Sequence, residues 1–263
     1  MDPRLDIQDQ LPALKFARRG AFAMGTVPLE LSQKAVDLCR KAFAQGISIG
    51  WQPYHPIKAV FFDMDATVIA EESLVELSAY AGQIEAVSRI TERAMAGELD
   101  FKSALIERVA LIKGLTLDDV QKVLSHITLN TGIREFVKSC TEYNIPTFMV
   151  SGGFTQFASY VQGLVGFADT RTNVLEVEDG RLTGRVIGDI VDAQGKKAFL
   201  LEKCAILGIK PEETCAVGDG ANDLPMLQTA GLAVGFKPKK VLLDHIHVFN
   251  GVGDHRMLEL FLG

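Results

Sequence analysis

No apolar run in this 263-residue chain approaches the roughly 18 residues that a membrane-spanning helix needs, and the N-terminus, with Asp2, Arg4 and Asp6, lacks a signal-peptide core. No membrane partner is expected, and the expected compartment is the cytoplasm. Charge of one sign is not concentrated either: 27 basic and 33 acidic residues give a net charge of −6, with no block of five like charges. That balance argues against nucleic acid as a partner and favours a small-molecule substrate. Cysteine is sparse, and Cys39, Cys140, Cys204 and Cys215 show neither CxxC spacing nor the density of a secreted disulfide scaffold, so they read as reduced thiols. His55, His126, His245, His247 and His255 form no HxxxH set and are assigned structural or surface roles. Internal repeats and low-complexity segments are absent. What is present is 48% hydrophobic residues, ample for a sizeable core in one large domain or two modest ones.

The most informative stretch runs from Ile57 to Thr67, where the apolar residues Ala59 to Phe62 end abruptly in Asp63 and Asp65. The run suits a strand buried on both faces of a parallel sheet. Alternate residues of an extended chain point the same way, so the two carboxylates would emerge side by side. Two such groups repel unless a cation or a proton intervenes. A turn rich in Asp closing a strand would look the same, so the rest of the chain has to decide.

Residues 1–56 contain one amphipathic pattern, with Leu31, Ala35, Leu38, Ala42 and Phe43 near helical spacing before Gly46, and are expected to be an N-terminal helical extension ending in the linker Trp51 to Pro56. Core is expected over 57–73, a helical insertion over 74–131, and core again over 132–263. Thr116 with Asp119 predicts a capped helix start within the insertion. Beyond Gly132, strand and helix alternate. A second buried strand, Ile145 to Val150, ends in Ser151-Gly152-Gly153; a third, Thr214 to Val217, ends in Gly218-Asp219-Gly220-Ala221-Asn222-Asp223. Asp179-Gly180 between two alternating runs predicts a hairpin. Alternating units of this kind imply an α/β fold with a doubly wound parallel sheet, whose ligands sit beyond the carboxyl ends of the strands.

Asp63, Asp65, Asp219 and Asp223 gathered at one crevice would destabilise one another without a hard cation. Oxygen-only ligands point to Mg²⁺, with calcium as the alternative and zinc disfavoured. The hydroxyl and backbone N–H groups of Ser151-Gly152-Gly153 suit phosphoryl oxygens, and so does a lysine from the Lys196-Lys197 pair. Carboxylate nucleophile, Mg²⁺ and lysine together describe phosphoryl transfer through an aspartyl phosphate.

These loops, in this order, resemble the four motifs of the haloacid dehalogenase superfamily, and specifically its phosphoserine phosphatase branch, over residues 57 to about 250. The resemblance implies a Rossmann-like core with a small helical-bundle cap. It implies Asp63 as nucleophile, Asp65 as general acid and then base, and Lys197 as the lysine at the phosphoryl group, preferred over Lys196 because it stands four residues before Leu201. Met64 and Ala66 would offer phosphate their backbone N–H groups, joined by Ser151, Gly152 and Asn222. Asp63, the backbone carbonyl of Asp65, Asp219 and Asp223 would form the metal site. In the cap, Glu72 would take the ammonium of phosphoserine, Arg108 its carboxylate, and Met95 with Phe101 would shield the site. At Ala66 the chain departs from the branch, which often carries Ser or Gly there. Residues 1–56 are also too short for the complete regulatory domain of many bacterial members. A phosphatase of another small phosphorylated acid or amine, a phosphomutase, and a non-catalytic phosphorylatable switch are the alternatives. The switch would be expected to lack Asp65.

Overall fold

The computed structural model describes residues 55–262 together with three N-terminal strands, β1 (Lys15–Arg19), β2 (Phe22–Thr26) and β3 (Ile49–Gly50). β1 and β2 form an antiparallel pair, and β3 lies antiparallel against the edge of the main sheet. Each element described before residue 55 is thus a strand, its backbone groups paired across a ladder. The helix expected over Leu31 to Phe43, Cys39 within it, and residues 51–54 of the linker lie outside the described residues.

Seven further strands follow: β4 (Ala59–Phe62), β5 (Thr147–Phe154), β6 (Asp169–Glu178), β7 (Arg181–Ile187), β8 (Thr214–Gly218), β9 (Leu232–Phe236) and β10 (Val248–Asn250). The main sheet has the order β3-β10-β9-β8-β4-β5-β6-β7. It is parallel from β10 through β6 and antiparallel at both edges. β4 sits centrally, with Ala59 and Phe61 in one core cluster and Val60 and Phe62 in the other, which is why its sequence is apolar without alternation. Phe61 stacks on Phe148 with ring centroids 5.1 Å apart. From β4 the chain winds to β5 and β6 on one side and to β8, β9 and β10 on the other, so the end of β4 is the switch point at which such sheets bind ligands.

Helices cover both faces. α1 (Ser73–Tyr80), α2 (Ile84–Met95), α3 (Phe101–Ala110) and α4 (Leu117–Leu124) are inserted between β4 and β5. The capping box expected at Thr116 and Asp119 is formed in both directions, at 3.1 and 3.0 Å. α5 (Ile133–Glu142) and α6 (Thr155–Val165) pack on the face carrying Val60 and Phe62; α7 (Ala193–Leu207) and α8 (Leu224–Leu227) pack on the other. The hairpin turn of β6 and β7 falls at Asp179 (φ 49°) and Gly180 (φ 72°), the left-handed pair that a two-residue hairpin requires. One strand is longer than the sequence suggests: β5 does not stop at Val150 but runs through Ser151-Gly152-Gly153 to Phe154, with a register shift against β6. Asn173, fully buried on β6, holds this segment by donating to the Gly152 carbonyl at 2.8 Å and accepting from the Val191 N–H at 2.8 Å. No helix among the described residues is long and apolar enough to cross a membrane. Cys140, Cys204 and Cys215 are free and buried.

Candidate active site

Because β4 and β8 are parallel neighbours in register, the residues that follow them meet: the Asp63 N–H donates to the Val217 carbonyl at 2.9 Å, and Asp63, Asp219 and Asp223 bring carboxylate oxygens within 4.8 Å of one another. Asp63 is 2% exposed; its Oδ1 accepts from the Met64 N–H at 2.7 Å and faces Lys196 Nζ at 2.7 Å. Lys196 Nζ also lies 2.6 Å from Asp223 Oδ1. Asp223 Oδ2 accepts from the N–H groups of Asp219 and Gly220 at 3.0 and 3.1 Å, which fixes the loop after β8.

This corrects the expected lysine. Lys196, 1% exposed, stands between the carboxylates, whereas Lys197 is half-buried on the next position of α7. The physical reason is helical phase. Lys196, Phe199, Leu200 and Cys204 share the buried face of α7, while Leu201, which suggested Lys197, is exposed. Periodicity counted from Phe199 would have found it.

Loss of water, then the nearby Asp223, drive the Asp63 carboxyl well above its usual range, against the pull of Lys196. Burial disfavours the Lys196 ammonium, but Asp223 and Asp63 outweigh that and hold it above its usual value. Both shifts express one fact: a single buried ammonium serves two carboxylates. The third, Asp219, is 6% exposed, raised by burial, and paired with Lys239 Nζ at 2.7 Å. Three carboxylates thus share two ammonium groups, and all the clustered donors are hard oxygens. This set fits a divalent metal ion. The Asp65 carboxylate stands outside that cluster.

Asp65 has an environment of its own. Its Oδ2 accepts from Ser73 Oγ at 2.8 Å, and its Oδ1 is buried without a partner. Burial, reinforced by Glu72, raises its carboxyl to about 7. That value suits a group that gives up a proton and takes one back near neutrality.

Around these acids, Ser151 is 1% exposed and its Oγ accepts from the Gly153 N–H at 2.9 Å. A Cβ at Gly153 would lie 2.7 Å from Met64 Cε, 2.8 Å from Ser73 Oγ and 3.1 Å from Asp65 Oδ2, so a larger residue there would displace the side chains that surround Asp65. The backbone groups expected to meet phosphate need correction. The Ala66 N–H donates to the Glu71 carbonyl at 3.1 Å and the Met64 N–H to Asp63, so both are already engaged. Of the N–H groups of residues 64–66, that of Asp65 donates to no other described residue. Ala66 adopts φ 54°, and that turn directs its N–H inward to Glu71.

A crevice opens over this cluster, lined by Asp63, Asp65, Ser151, Gly152, Asp219 and Asn222 below and by Glu72, Phe101, Leu105 and Arg108 from the inserted helices. Phe101 overhangs Gly152, with its Cζ 3.1 Å from where a Cβ would stand. Arg108 is half-buried, its Nε donating to the Ala104 carbonyl at 3.1 Å, and burial lowers its guanidinium against the attraction of Glu72. Glu72 is exposed, and loss of water in the crevice raises its carboxyl against the opposing pull of Lys239. Met95 ends α2, but its side chain lies outside what the structure describes. Ser73 and Lys239 also line the crevice, and sequence reasoning missed both. Ser73 directly follows Glu72 and could have been found; Lys239, on a loop beyond β9, carries no local signal.

Residues 57–231 match the model of the haloacid dehalogenase-like hydrolases. The chain is 42% identical over 232 residues to a phosphoserine phosphatase of Albidiferax ferrireducens, covering 84% of this chain and 98% of that one. It is 43% identical over 211 residues to a phosphoserine phosphatase of Archaeoglobus fulgidus, covering 79% of this chain but only 61% of the relative. A solved phosphoserine phosphatase carrying an analogue of a phospho-aspartyl intermediate superposes with a TM-score of 0.73 at 34% identity, covering 79% of this chain and all of that one.

Proposed function

The chain belongs to the haloacid dehalogenase-like hydrolases, and from that premise we propose that it is a Mg²⁺-dependent phosphomonoesterase, hydrolysing O-phosphoserine to serine and phosphate through an aspartyl phosphate on Asp63. The observation that carries this reading is the division of labour between the two acids. Asp63 Oδ1 is held by Met64 and Lys196, which leaves Oδ2 as the attacking atom. Asp65, held by Ser73 with its carboxyl raised to about 7, is the proton carrier.

In the first step Asp63 Oδ2 bonds to phosphorus and the bond to the seryl oxygen breaks, while Asp65 gives that oxygen its proton. In the second, Asp65 takes a proton from water as the water oxygen attacks phosphorus, and the bond to Oδ2 breaks. Asp63, Asp219 and Asp223 would hold Mg²⁺, which neutralises carboxylates and phosphoryl oxygens together. Lys196, Ser151 and the Asp65 N–H would meet the remaining phosphoryl charge. Helices α1–α4 act as a cap that excludes water, with Arg108 at the substrate carboxylate and Glu72 at its ammonium.

The test is release of inorganic phosphate from O-phosphoserine over many turnovers with Mg²⁺, then after excess chelator, with mass analysis of the Asp63 peptide from acid-quenched enzyme. Multiple turnover, silencing by chelator and a phosphate-sized mass increase on that peptide are expected. Single-turnover release, or full activity in chelator, would overturn the proposal.

A further inference from the structure

The turn bearing Asp63 and Asp65 is tied to residues that contribute nothing to the crevice. Asn130 Nδ2 donates to the carbonyls of Thr67 (2.9 Å) and Ile69 (3.0 Å), and the Asn130 N–H donates to the Val68 carbonyl (2.9 Å). His255 Nε2 meets the same Thr67 carbonyl at 2.9 Å. A carbonyl only accepts, so His255 carries its proton on Nε2 and donates. The His255 ring is fully buried, stacked on Phe236 with centroids 4.2 Å apart and edge-on to Phe62, the residue before Asp63, at 5.7 Å. Its backbone N–H is anchored on the Thr131 carbonyl at 2.9 Å, which joins the two tethering segments to each other.

Two features show that these tethers do more than fill space. The bond from Nε2 to the Thr67 carbonyl is the one hydrogen bond the His255 ring makes to the described residues, so the ring's polar edge is spent on this turn and an apolar side chain of similar size could not replace it. The turn also contains a non-glycine residue, Ala66, at φ 54°, a conformation that persists only where surrounding structure over-determines it. Asn130 and His255 grip the turn one to three residues beyond that point.

We propose that Asn130 and His255 are positioning residues, holding the turn over residues 63–70 so that Asp63 and Asp65 keep the separation that in-line attack and proton transfer demand; this rests on the phosphatase reading above. Neither touches substrate.

The test compares His255→Leu, His255→Gln and Asn130→Ala with the parent, using an aryl phosphate as the substrate. A displacement of about 1 Å costs on the order of 10²-fold in rate. His255→Leu and Asn130→Ala should therefore lower kcat per folded molecule roughly 10- to 100-fold with KM little changed, and His255→Gln, which keeps an N–H at the reach of Nε2, should recover most of the loss. Native-state hydrogen exchange supplies an arm that needs no activity. The amides of Val68 and Ile69 should exchange faster in His255→Leu, while those of β8 and β9 stay at parental rates. Unchanged kcat in folded His255→Leu, or exchange rising equally in turn and sheet, would overturn the proposal. If the parent itself releases no phosphate, the phosphatase reading fails and the exchange arm alone decides on the tether.

Discussion

At and beneath the floor of the crevice Asp63, Lys196 and Asp223 are each 2% exposed or less, and Lys196 pairs with both carboxylates from a different element; on the roof Glu72 is exposed, and the Arg108 hydrogen bond goes to its own helix. The floor's carboxylates hang from the ends of adjacent parallel strands, with Lys196 reaching in from α7, so its geometry is that of the sheet and the helix packed on it. Four short inserted helices carry the roof, and among the described residues the Glu72 carboxylate and the Arg108 guanidinium make no hydrogen bond to the floor. Buried groups that cannot reorganise suit a step in which charge develops and must be met at fixed positions. Side chains free to close suit the recognition of one substrate among many. The difference assigns chemistry to the floor and selection to the roof.

The largest effect should come from the floor. Asp63→Asn removes the attacking oxygen with no substitute nearby, and turnover of every phosphomonoester should fall on the order of 10⁴-fold or more, with the circular dichroism spectrum retained. Activity within tenfold of the parent would break the assignment.

Lys196 against Lys197 comes next. Lys196→Met leaves Asp63 and Asp223 sharing a buried site with no ammonium between them, and kcat should drop about 10²- to 10³-fold, as when a transition-state charge partner is lost. The neighbouring Lys197→Met should stay close to the parent. Equal effects of the two would place the floor's cation wrongly.

A smaller effect concerns pH. With its carboxyl raised to about 7, Asp65 is protonated below that value and progressively ionised above it, so kcat/KM for an alkyl phosphate, which needs an acid at its leaving oxygen, should decline as pH rises past about 7. An aryl phosphate, whose leaving group departs without a proton, should decline less. Asp65→Asn, which has no proton to lose there, should abolish the difference. Profiles of both substrates on parent and variant check the sign.

Much of the floor was legible in the sequence because it is written in contiguous pieces. An apolar run ending in Asp63 and Asp65, another reaching Ser151-Gly152-Gly153, and Gly218 to Asp223 each announce a strand end, and parallel pairing brings strand ends together. Asp179-Gly180 and Thr116 with Asp119 were equally readable, since turn and cap chemistry is local. What was missed depends on partners distant in sequence. Lys196 was displaced by its neighbour because the helix was phased from exposed Leu201 instead of buried Phe199. The Ala66 N–H looked free until its turn was seen to direct it to Glu71. Asn173 pins Gly152 from 21 residues away, and His255 reaches Thr67 from 188. The roof was legible as helices, but which of its charges face the crevice is a property of packing that spacing alone does not fix.

The measurement that bears most directly on the division between floor and roof is kcat/KM of Arg108→Ala for O-phosphoserine and for an aryl phosphate that has no carboxylate. A charge-assisted arginine–carboxylate contact is worth about 1.5–3 kcal/mol, roughly ten- to a hundredfold in binding. The variant should lose at least that factor on O-phosphoserine and almost nothing on the aryl phosphate, and Arg108→Lys should not restore it, since a point charge cannot form the planar fork. An equal fall on both substrates would make Arg108 part of the catalytic floor or of the fold; no fall on either would contradict selection by the roof.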